Sequence, residues 1–61
     1  MSNFFTVSVV FIEEIQQAMI ENGCWVKGVR SMKFIDNNSL VVIDCGDNLQ
    51  AASIMAKYWL Y

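Results

Sequence analysis

The stretch Met32-Lys33-Phe34-Ile35-Asp36-Asn37-Asn38-Ser39-Leu40-Val41-Val42-Ile43-Asp44-Cys45 decides the fold. Asp-Asn-Asn-Ser is the strongest turn signal in the chain, because these short polar side chains bond their own backbone and tolerate left-handed conformations. On either side stand β-branched and aromatic residues suited to strands. A short turn there pairs positions whose numbers sum to 75, so Phe34 faces Val41 and Met32 faces Ile43 on one side. Ile35 with Leu40, and Lys33 with Val42, lie on the other. Leu40-Val41-Val42-Ile43 has no polar break, which predicts a central strand covered on both faces.

Upstream, the second strand is expected over residues 25–35, interrupted at Gly28 by a bulge or a close backbone approach. Residues 3–9 alternate, with Phe5, Val7 and Val9 on one face and Thr6 and Ser8 on the other, the pattern of a half-buried strand. From Val10 the spacing changes to three and four: Phe11 or Ile12, Ile15, Met19 and Asn22, with Glu13, Glu14, Gln16, Gln17 and Glu21 between them. That is an amphipathic helix, capped by Ser8, with Glu13 and Glu14 at its positive end and Asn22-Gly23 as its stop. Downstream, Asp47 is expected to cap a last helix, with Gln50 completing a capping-box-like pair. Its core stripe would be Leu49, Ala52, Ala56, Trp59 and Leu60.

The order β-α-β-β-α predicts one α+β domain over residues 1–61: a three-stranded sheet in spatial order 1-3-2 with two helices on one face. This is similar in topology, though in no sequence motif, to the ferredoxin-like βαββαβ pattern without its last strand. The sheet side of the core would be Phe5, Val7, Val9, Met32, Phe34, Val41, Ile43 and Cys45. Ile15, Met19, Leu49, Ala52, Ala56 and Trp59 would form the helix side.

Composition narrows function. A chain of 61 residues buries only about 60% of its unfolded surface, yet 56% of its residues are hydrophobic and 16% charged. Disorder is excluded by that balance, and the apolar surplus needs a destination. The absence of histidine removes Ser-His and Cys-His catalysis and every His-containing metal site. Adjacent Glu13 and Glu14 diverge by about 100° on a helix, and Asp44 and Asp47 suit a helix start, so neither pair makes an acid–base couple. The protein is not expected to be an enzyme, and no catalytic, cofactor or metal residue is assigned.

A net charge of −2 is not the basic footprint of a nucleic-acid binder. Lys27, Arg30 and Lys33, spaced by three along a strand, would fall on two faces. A small nucleic-acid-binding regulator using those residues is therefore an alternative reading, with Trp25 and Phe34 as stacking surfaces. Apolar runs such as residues 9–12 fall far short of the 18 or so a membrane span needs. Met1-Ser2-Asn3 places no basic stretch ahead of an apolar one, so the expected location is the cytoplasm, with no membrane partner. Cys24 and Cys45 have neither metal-site nor Cys-x-x-Cys spacing and are expected as buried, reduced thiols.

The last helix carries a second apolar band, Ala51, Ile54, Met55, Tyr58 and Tyr61, for which one small sheet offers no cover. Such a face marks an interaction site. The leading expectation is a non-enzymatic protein-interaction module that forms a homodimer and modulates or inhibits a protein partner. Chains of this size without a catalytic set are a common form of phage- or plasmid-borne inhibitor, anti-CRISPR proteins among them, and size alone points there. An accessory subunit of a larger complex is a further alternative. Trp25, Arg30, Tyr58, Trp59 and Tyr61 are the candidate partner-binding residues, used together with the open edge of the first strand. Thr6, Ser8, Lys27, Ser31 and Lys33 would form a polar rim on the sheet face away from the helices.

Overall fold

Strand β3 (Leu40–Asp44) organises the molecule, with β1 (Phe4–Ser8) on one side and β2 (Ser31–Ile35) on the other, both antiparallel to it. The computed structural model describes residues 3–60. Around the sheet, helix α1 (Ile12–Glu21), the single turn α2 (Trp25–Gly28) and helix α3 (Leu49–Met55) complete an α+β domain in which strand order is β1-β3-β2. The hairpin has the register read from the turn: Phe34 faces Val41, Met32 faces Ile43, Ile35 faces Leu40 and Lys33 faces Val42. Its bend is built from Asp36, Asn37 and Asn38, all left-handed at φ of 52°, 57° and 65°. Asp and Asn accept that region more readily than most residues. Ser39 closes it, its backbone N–H and its hydroxyl both donating to the Asp36 carbonyl at 3.1 and 2.6 Å.

From β1 the chain enters α1 through a 3-10 turn, Val9–Phe11, with Ser8 Oγ accepting from the Val10 amide at 3.3 Å. Helix α1 ends where Asn22-Gly23 predicts. The Gly23 N–H bonds the Ile20 carbonyl at 3.0 Å and the Cys24 N–H the Met19 carbonyl at 2.9 Å, the two-bond glycine stop. Gly23 supplies the left-handed residue, at φ 69°.

Two elements differ from expectation. Residues 25–35 are not one strand: Trp25–Gly28 is a helical turn, closed by the Gly28 N–H on the Cys24 carbonyl at 2.7 Å. The close approach expected at Gly28 is the reason. A Cβ there would stand 2.6 Å from the Ala51 Cβ, so α3 sits directly on this backbone. Lys27 consequently leaves the sheet, and the ladder begins only after Arg30, whose N–H reaches the Asp44 carbonyl at 2.7 Å.

The last helix is shorter and rotated. Asn48, not Asp47, is its N-cap, accepting from the Ala51 amide at 2.9 Å, so Gln50 closes no capping box. The band Ala51, Ile54, Met55 turns inward, while Leu49, Ala56, Trp59 and Leu60 are exposed and Ala52 is half-buried. The inward band carries the larger side chains where the sheet has room, and the small Ala51 where Gly28 presses close. The helix stops at Met55, and residues 56–58 form a turn.

The core is Val7, Val41, Ile43 and Cys45 from the sheet side against Ile15, Met19, Cys24, Ala51, Ile54 and Met55, so the helices cover one face. Phe5 and Met32 pack at its margin; Phe34, expected inside, is 47% exposed and stands outside the core cluster. The opposite face is uncovered among the described residues: Leu40 and Val42 are only half-buried, against the expectation of cover on both sides. Cys24 and Cys45 are buried free thiols, and burial, followed by the charge of Asp44 and then Cys24, pushes the Cys45 thiol up to about 11.

The two helix-linking glycines act differently, and substitution separates them. Gly28→Ala forces α2 and α3 apart and is expected to cost about 1–3 kcal/mol. At Gly23, where nothing lies within 4 Å of an added Cβ, alanine bears only the left-handed backbone, about 1 kcal/mol. Urea denaturation measures both, and an unchanged midpoint in Gly28→Ala would contradict the seating of α3 on α2.

Candidate interaction surface at the edge of the first strand

The outward edge of β1 is set by alternation in an antiparallel ladder. Odd residues bond β3 and its extensions: the Asn3 carbonyl accepts from the Cys45 amide at 2.8 Å and the Val9 amide donates to the Ser39 carbonyl at 3.0 Å. The amides and carbonyls of Phe4, Thr6 and Ser8 therefore point away from the sheet. Two of them are taken: the Leu60 N–H donates to the Thr6 carbonyl at 2.8 Å, and the Ser8 carbonyl opens the 3-10 turn.

That bond belongs to a strap running from the end of α3 across the start of the chain. Beyond the turn at residues 56–58, Tyr58 is half-buried; its ring lies 5.5 Å from Phe11 and its hydroxyl donates to Glu14 Oε2 at 2.9 Å. Trp59 stands edge-on to Phe5 at 5.6 Å, and Leu60 then meets Thr6. Trp59 and Leu60 stay 54% and 53% exposed, and Phe4 on β1 is 59% exposed. Sequence reasoning singled out Tyr58 and Trp59 but missed Phe4, Phe11 and Leu60. The core stripe expected through Trp59 and Leu60 hides Leu60, because the helix stops at Met55 and the chain beyond it turns back to β1.

The other candidates are scattered. Trp25 is half-buried on α2, where with Ile20, Gly23, Val26 and Lys27 it lines an open depression of about 280 Å³. Arg30 lies over Gly46, where an added Cβ would meet its Cδ at 2.5 Å. Tyr61 lies outside the described residues. Of the expected polar rim, Thr6, Ser8, Ser31 and Lys33 share the uncovered sheet face, and Lys27 does not. Lys27, Arg30 and Lys33 thus stand on a helical turn, over a loop and on the open sheet face, which is no single track for a phosphate backbone.

Among the described residues, no helix is long and apolar enough to cross a membrane, and no three potential ligands gather as a metal site. No protein-family model, curated protein or solved structure matches the chain.

The Tyr58 clamp has a pH signature. Ionising the phenol would set an anion against the Glu14 carboxylate, so the hydrogen bond to Glu14 holds its pKa above the ordinary tyrosine value. The clamp's contribution is complete below that ordinary value and fades as pH rises through it and beyond. In a Tyr61→Phe background, where Tyr58 is the one remaining tyrosine, phenolate absorbance should appear late and move to lower pH on Glu14→Gln. Superimposable titrations would show that the clamp does not operate in solution.

Proposed function

We propose that this protein is a non-enzymatic interaction module that self-associates and binds a protein partner through the outward edge of β1 and the strap beside it. The observation that carries this reading is that three large apolar groups, Phe4, Trp59 and Leu60, each more than half exposed, lie around an edge whose Phe4 and Thr6 amides have no backbone partner among the described residues. Apolar side chains lining an open strand edge provide both parts of strand addition, backbone bonds for affinity and side-chain contacts for selectivity. Aromatic residues such as Trp59 are favoured interface anchors because they remove a large area from water at little rotamer cost.

Size supports the same reading. A domain near 60 residues, with both cysteines free, gains stability by association. Light scattering at high micromolar concentration is expected to give twice the 7.0 kDa chain mass. A 7.0 kDa particle throughout that range would remove the self-association half of the proposal.

A further inference from the structure

The two edges of the sheet are unlike. At β2 the edge carries Lys33, preceded by Arg30, the kind of charge that deters a second strand. At β1 the sequence Phe4-Phe5-Thr6-Val7-Ser8 has no charge, proline or glycine, and uncharged residues continue on both sides from Asn3 to Ile12. Such a segment has no built-in defence against strand pairing. Its protection is the strap, whose backbone covers one carbonyl, that of Thr6.

We propose that the occupant of this edge is β1 of a second copy, paired antiparallel about Thr6, and that Leu60 is a latch competing for the Thr6 carbonyl. This rests on the interaction reading above and specifies its geometry. Thr6 is the central outward-pointing residue of Phe4–Ser8, so a two-fold axis beside it lets the Thr6 amide of each copy donate to the Thr6 carbonyl of the other. The same register sets Phe4 against Ser8 on the open face and Phe5 against Val7 on the helix side, an aromatic with a β-branched residue, a favourable cross-strand pair. Neither strand brings a charge to the contact, so a neutral copy of itself fits it better than an acidic or basic peptide. The two three-stranded sheets would become one of six strands. Pairing at Thr6 requires the Leu60 N–H to leave, which makes the dimer weaker than the edge alone would allow.

The register gives a charge-swap test. Thr6 is half-buried with its side chain on the uncovered face, so Thr6→Lys and Thr6→Glu are accommodated in the monomer, which circular dichroism checks. Each alone sets like charges directly opposite across the axis and is expected to sediment as a monomer. Mixed in equal amounts, the two variants should form a heterodimer. Leu60→Pro deletes the latch's donor and should tighten the wild-type dimer by roughly 2- to 10-fold, the worth of one net hydrogen bond. Homodimers of Thr6→Lys as tight as wild type, or no rescue on mixing, would overturn the edge pairing while leaving self-association through another surface intact. An unchanged constant in Leu60→Pro would overturn the latch alone. Monomers in wild type and Leu60→Pro alike at high micromolar concentration would overturn both this proposal and the self-association it rests on.

Discussion

Strand β3 must be bonded on both sides, and the rest of the structure follows from that constraint. The apolar run at residues 40–43 makes it the strand least suited to an edge, and its buried Val41 and Ile43 share one core cluster with Ile15 and Met19 of α1 and Ala51, Ile54 and Met55 of α3. Once β3 is central, the five-residue strands β1 and β2 are both edges, and among the described residues no further strand covers either. β2 carries a lysine on its edge. β1 stays neutral and is partly covered by the end of the chain. That asymmetry gives the protein its most distinctive surface.

A second constraint is the contact of Gly28 with Ala51. It seats α3 on the turn α2 and thereby fixes which side of α3 looks inward. With Ala51 held there, Ile54 and Met55 follow at helical spacing into the core, and Tyr58, just past the end of the helix, comes to lie over Phe11 and Glu14. The strap that reaches Thr6 therefore starts from a helix seated at Gly28. Loosening Gly28 would be felt at β1 through α3.

The fold was legible where local signals agreed with each other. The hairpin register came from Asp36-Asn37-Asn38-Ser39 and the alternation beside it, and the end of α1 came from Asn22-Gly23; both are backbone-geometry signals that tertiary context does not reverse. Sequence reading failed where two patterns competed. Trp25-Val26-Lys27 has strand-like side chains, but the glycine stop before it and the packing demand at Gly28 hold it as a helical turn. In α3 two apolar stripes, Leu49-Ala52-Ala56 and Ala51-Ile54-Met55, are equally periodic, and the choice rests on a long-range contact that periodicity does not contain. Of the candidate surface, the edge position of β1 is readable in the sequence. The bond from Leu60 is not, because it depends on where α3 ends and how the chain turns back.

The central claim is that the amides of β1 are bonded on its odd residues and open on its even ones. Residue-resolved amide hydrogen exchange at low micromolar concentration, where the chain is monomeric in this account, tests that alternation. The amides of Phe5, Val7 and Val9 should be protected, and those of Phe4 and Thr6 should exchange close to the rate of an exposed chain. Protection of Thr6 equal to that of Val7 under those conditions would mean the edge is already covered within a single copy, and would contradict the account.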